Sequence, residues 1–184
     1  MSRILFTLAT LSLLIVVAAF AAGLFVGDLY AAHPLETTIH RATLHRLLGI
    51  AAALAVVFVE SVVVTYFIGT SRWCKEVAET YRLDRALVDQ SNQLKRRTFP
   101  CALAGMLAVI AVIALGAAAD PATGRPNTQL WATWHLGGAV FGTLLIAWTY
   151  VVAWKNVFAN HTIIERLLAE VDRIRHEQAK GLLQ

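Results

Sequence analysis

The chain has 184 residues, of which 58% are hydrophobic and only 15% charged, with two cysteines and a formal net charge of +4. Soluble domains average about 45–50% apolar and about 25% charged, so both departures point to lipid as the solvent. High hydrophobicity excludes a disordered chain, and two cysteines are too few to staple a disulfide scaffold of this length.

Crossing a bilayer core takes about 20 apolar residues of helix, and four segments qualify in chain order. Residues 4–26 carry no charge, residues 47–68 only Glu60, residues 99–119 none, and residues 130–154 none apart from the titratable His135. The opening Met1-Ser2-Arg3, an apolar run and Ala18-Ala19-Phe20-Ala21 also suggest a cleaved signal. The apolar part of a signal is only about 7–15 residues, so an uncleaved span is the reading adopted. The expected fold is all-α, an integral membrane four-helix bundle in one domain with short cytoplasmic helical extensions.

Orientation follows from the cations, because cytoplasmic loops carry the excess of lysine and arginine. Arg3, the seven cations between Arg72 and Arg97, and the five between Lys155 and Lys180 fall on one side, 13 of the 16 in the chain. Only Arg41, Arg46 and Arg125 fall on the other. Both termini are therefore expected in the cytoplasm. The hairpin 70–98 is expected to continue the second span as helix to Tyr81, break near Leu83, and restart behind Asp84 as N-cap, leading to Pro100 at the start of the third span. The tail 157–178 places Ile164, Leu167, Leu168, Val171 and Ile174 on one helical face. Two arrangements fit these pieces: an extension of the bundle, or a solvated hairpin beside an interfacial helix.

The second and fourth spans run in the same direction, so in an up-and-down bundle they are diagonal neighbours. Stepping by helical periodicity gives His45, Gly49, Ala52, Val56, Glu60 and Val63 on one, and His135, Gly138, Gly142, Leu145, Thr149 and Val152 on the other. Glu60 lies 15 residues below His45 and Thr149 lies 14 below His135, in each case about 21–22 Å of helix. If the histidines share a level, the deeper polar groups do too.

Two imidazoles from facing helices can supply both axial ligands to a haem b iron. Small residues one turn away let a flat macrocycle approach the backbone, and Arg41 and Arg46 at the outer surface suit its propionates. This resembles the general plan of membrane b-type cytochrome bundles, which implies electron transfer near the outer face. The packing alternative for the same residues is plain: Gly138-Ala-Val-Phe-Gly142 is a G-x-x-x-G helix-packing motif, and Trp131 and Trp134 mark an interfacial belt.

Glu60 is costly in lipid and is expected to face inward and be neutral, bonded to Ser61, Thr149 or Tyr150, as a proton group or a contact for a quinone. His33, Glu36 and His40 suggest a helical face able to hold zinc or copper at the outer side with His45 or Asp120. The basic Lys95-Arg96-Arg97 run is read as a contact with anionic headgroups, and no feature supports nucleic-acid binding. A b-type cytochrome-like electron-transfer subunit is thus the leading expectation. A non-catalytic scaffold or accessory subunit among other membrane subunits is the alternative, and a transporter or an outer-face metal-binding protein comes after it.

Overall fold

The computed structural model describes residues 2–181. Four long helices carry the chain: α1 Ser2–Leu24, α2 Glu36–Tyr81, α3 Arg85–Ala119 and α4 Ala132–Gly181. Each is long and apolar enough to cross a membrane. No strand occurs among the described residues.

Three of the helices run well past their apolar stretches. α2 has 46 residues and α4 has 50, so at about 1.5 Å per residue each is about 70–75 Å long. The helix restarts behind Asp84 as expected, and α3 then runs without a break through Pro100 into the third span. Pro100 is exposed, so the helix carries its missing N–H on an outward side. Nearby, Thr98 Oγ1 donates to the Leu94 carbonyl at 2.8 Å and Cys101 Sγ to the Arg97 carbonyl at 3.4 Å. The break near Leu83 is where expected. Arg82 takes a left-handed conformation and sends its N–H to the Ala78 carbonyl, and Asp84 accepts from the Ala86 N–H at 3.0 Å.

The helices pack in an up-and-down order, with α2 against α1 and α3, α4 against α3, and α2 and α4 across the diagonal. The main core joins Leu5 and Val16 of α1, Val56, Val59, Val63 and Phe67 of α2, Val109 of α3, and Ile146, Tyr150 and Ala153 of α4. On α4 this core line runs through Ile146 and Ala153, one position on from the expected Leu145 and Val152. The outward faces present large apolar side chains such as Leu54, Phe58, Leu107, Trp134 and Phe141. In each helix's most apolar window only 17–28% of the residues are buried, the pattern of helices whose surroundings are themselves apolar.

Beyond the apolar region α2, α3 and α4 continue as a three-helix extension, so of the two arrangements for the hairpin and tail the bundle extension is the one formed. Its core is Cys74, Leu167 and Val171, flanked by Trp73, Val77, Tyr81, Leu83, Leu87 and Ile164. Of the expected tail face, Leu168 turns outward at 44% exposure. Arg175 closes the far end, donating to the Tyr81 hydroxyl at 3.0 and 2.6 Å with its guanidinium over the ring.

Candidate functional site

His45 sits in the third turn of α2 and His135 in the first turn of α4. Their rings meet across the diagonal with centroids 5.9 Å apart and planes at 63°. Neither ring hydrogen-bonds the other. His45 Nδ1 lies 2.9 Å from the Ala19 carbonyl of α1; a carbonyl only accepts, so Nδ1 carries the proton and Nε2 is the free nitrogen. His135 Nδ1 is buried with no hydrogen-bond partner.

Two glycines that periodicity did not single out make room for the rings. A Cβ on Gly23 of α1 would stand 2.8 Å from His45 Cε1, and one on Gly116 of α3 would stand 3.0 Å from His135 Cε1. Each imidazole thus lies against the backbone of a neighbouring helix, where any other residue would displace it. Ala19, whose carbonyl holds His45, is buried, as are Ala42 and Ala52 before and after His45 on α2 and Ala119 one turn beyond Gly116 on α3. Gly138 and Gly142 face elsewhere: hypothetical Cβ atoms there would stand 2.6 Å from Leu115 and Val112 of α3. They serve close packing of α4 on α3, the ordinary role of their motif. Gly49 faces open space.

Above the rings, the two loops at this end are tied together. Arg46 grips Asp120 as a fork, with Nε to Oδ2 at 2.6 Å and Nη2 to Oδ1 at 2.9 Å. Asp120 also accepts from the Ala122 N–H at 2.9 Å, and Tyr30 donates to the Ala119 carbonyl at 2.7 Å. Arg46 is therefore committed to a carboxylate of the chain itself. Arg41 reaches the Phe25 carbonyl at 3.3 Å.

Glu60 is completely buried in mid-bundle. Its Oε1 lies 2.7 Å from Thr149 Oγ1, which is also 2.8 Å from the Ile146 carbonyl. One hydroxyl proton cannot serve both contacts well. Both close when Glu60 carries a proton and donates it to Thr149, while Thr149 donates to Ile146. Oε2 has no partner, and an unpaired charge there would be costly. Gly105 of α3 makes the space, since a Cβ would stand 2.5 Å from Oε1. Tyr150 bonds to Ser12 of α1 at 2.7 Å rather than to Glu60, and Ser61 is exposed.

His33 precedes α2 and does not share a helical face with Glu36 and His40; all three are exposed, with Glu36 and His40 3.6 Å apart. Among the described residues no group of three potential metal ligands converges. Cys74 is fully buried in the extension, and that burial pushes its thiol up, which suits packing rather than nucleophilic chemistry.

One polar feature lies outside the stripes read from the sequence. Asn160 is fully buried where the apolar bundle meets the extension. It accepts from Ser91 at 2.7 Å and donates to Tyr66 and Thr70, both at 3.1 Å. Asn156 donates to Thr98 at 2.9 Å beside it. The absence of charge on either partner left no pattern to find.

Comparison of the chain with protein-family models, with curated proteins and with solved structures returns no match.

Proposed function

We propose that the chain is a small b-type cytochrome-like electron-transfer protein of the membrane, with both termini cytoplasmic and one haem b held between His45 and His135 near the outer face. The observation that carries this reading is the separation of the rings. With metal–imidazole bonds of about 2.0–2.1 Å, and about 1.1 Å from each ligating nitrogen to its ring centre, two imidazoles on opposite sides of one metal ion have centroids about 6.2–6.4 Å apart. The 5.9 Å found is close to that span. A 63° angle between planes suits two rings rotated about a shared axis.

Ligand count favours a macrocycle. Two protein nitrogens do not complete a zinc site, which takes four ligands, whereas a porphyrin brings four equatorial nitrogens of its own. The small residues Ala19, Gly23, Ala52 and Gly116 support close approach of a flat group once the helices part around it. Arg41 is the cation left for a propionate, because Arg46 is held by Asp120. In this reading the electron partner approaches from the histidine end. Glu60 is a protonated carboxyl inside the bundle rather than a quinone contact, since neither it nor Tyr150 is open to a diffusing ring. The same burial leaves a transporter without a wet path to its acid.

The test is the reduced-minus-oxidised spectrum of the detergent-purified chain, expressed with haem available. Sharp Soret and α bands are expected, with loss of the low-spin α band in both His45→Ala and His135→Ala. A colourless, well-folded preparation overturns the proposal and leaves an accessory subunit of a larger membrane complex as the better reading.

A further inference from the structure

We infer that His135, and not His45, is the displaceable member of the pair, and that its release opens the site to a small neutral π-acceptor ligand of two atoms. This deepens the haem reading above and rests on it.

The two histidines are held very differently. His45 lies deep in α2, with buried Thr38 and Ala42 before it and Ala52 after it. Its Nδ1 proton is donated to a backbone carbonyl of another helix, and its ring is seated against Gly23. That is the arrangement that fixes a ligating imidazole: the outer N–H goes to a fixed acceptor, which sets the tautomer and raises the basicity of the other nitrogen.

His135 shares the glycine seat, against Gly116, but has neither the helical depth nor the hydrogen bond. It is the fourth residue of α4, directly after the short turn Thr128–Trp131 and the left-handed Asn127. From Gln129 to Phe141 no side chain is fully buried, and Trp134 beside it is 71% exposed. Segments with few buried contacts open at the lowest cost. Nδ1 of His135 is buried without a well-formed hydrogen bond, the Val112 backbone of α3 being a poorer partner for it than the Ala19 carbonyl is for His45. Missing partners of this kind typically weaken a metal ligand about 10–100-fold.

The position vacated when His135 swings out lies against the backbone of Gly116, and Arg46, the cation above the rings, is already held by Asp120. A charged ligand would find that cation committed, whereas a small neutral ligand that bonds through the metal would need none. Carbon monoxide is the appropriate probe.

The experiment uses the full chain loaded with haem, reduced, and exposed to carbon monoxide, with haem affinity and the Soret position as readouts. The wild type is expected to take up carbon monoxide with a Soret shift, in a step slowed by departure of His135. His135→Ala is expected to keep haem and to bind carbon monoxide without that slow step. His45→Ala is expected to hold haem at least about tenfold more weakly than His135→Ala does. Glutamine at either position repeats the comparison if an alanine variant fails to fold. Haem that binds but does not exchange a ligand for carbon monoxide overturns this inference alone, as does equal loss of haem in the two variants. A wild-type chain that takes up no haem overturns the haem reading and this inference with it.

Discussion

At the basic end, α2, α3 and α4 meet through Tyr66, Thr70, Ser91, Thr98, Asn156 and Asn160, a layer in which each member has a hydrogen-bond partner. At the histidine end the same helices, joined by α1, meet through two imidazoles seated on glycines, and His135 Nδ1 is left unpaired. Glu60, between the two, has one oxygen paired and one bare. Buried polar groups that are fully satisfied specify a structure, while unsatisfied ones are tolerated where something else depends on them. The difference assigns architecture to one end and, on the haem reading proposed above, chemistry to the other. Ser71 is the exception at the basic end, a buried hydroxyl without a partner.

The contrast is broken most forcefully at Asn160. Replacing it with leucine leaves Ser91, Tyr66 and Thr70 to find other partners within a largely buried layer, at about 1–3 kcal/mol for each group left unpaired. A net loss of about 3 kcal/mol is expected, read as a lowered unfolding midpoint in mild detergent. The histidine end should be unaffected, because the damage lies more than 20 residues along α4 from His135. A change in haem affinity as large as the change in stability would show that the two ends are not separate. Gly105 tests the middle. Gly105→Ala drives a methyl against Glu60 Oε1, and overpacking of this kind costs about 1–3 kcal/mol. With Glu60→Ala as background the nearest obstacle is gone, and the better helix propensity of alanine, about 0.8–1 kcal/mol, should make the same change nearly neutral. Equal costs in the two backgrounds in a double-mutant cycle would show that Gly105 does not exist to seat the carboxyl.

The parts of this molecule that were legible in the sequence share a physical property: they are periodic along a single helix. The four spans show as uninterrupted apolar runs. The stripes through His45 and Glu60 and through His135 and Thr149 show because parallel helices keep step, and the side chains do meet in the structure. Gly23 and Gly116 stayed hidden inside Ala21-Ala22-Gly23 and Gly116-Ala117-Ala118, because what singles them out is a ring on a different helix. Gly138 and Gly142 were conspicuous for their spacing, yet that spacing packs α4 on α3. Helix continuity was also understated. Lys155 and Asn156 look like an exit from lipid, and Pro100 looks like a start, but neither breaks a helix whose next turns still bury an apolar face.

The smallest expected effect lies in the loops that cap the histidine end. Tyr30 donates to the Ala119 carbonyl next to Asp120, which Arg46 grips from below. Burial, and then the nearby Asp120 carboxylate, hold the Tyr30 hydroxyl above its ordinary value of 10.0. The folded chain therefore keeps this proton more firmly than the unfolded chain does. Its contribution is intact below the ordinary tyrosine value and is lost as pH rises through the higher folded one. Tyr30→Phe should cost about 0.5–1 kcal/mol near neutral pH, the net worth of one hydrogen bond, and less if water reaches the carbonyl. It should also flatten the fall in unfolding midpoint above about pH 10 relative to wild type. Because the bond ties the α1–α2 loop to the end of α3 rather than holding either imidazole, Soret position and haem affinity should stay within error of wild type. A Tyr30→Phe chain of unchanged stability but altered haem spectrum would move this tyrosine from the cap into the site, and with it the boundary between the architectural and chemical parts of the bundle.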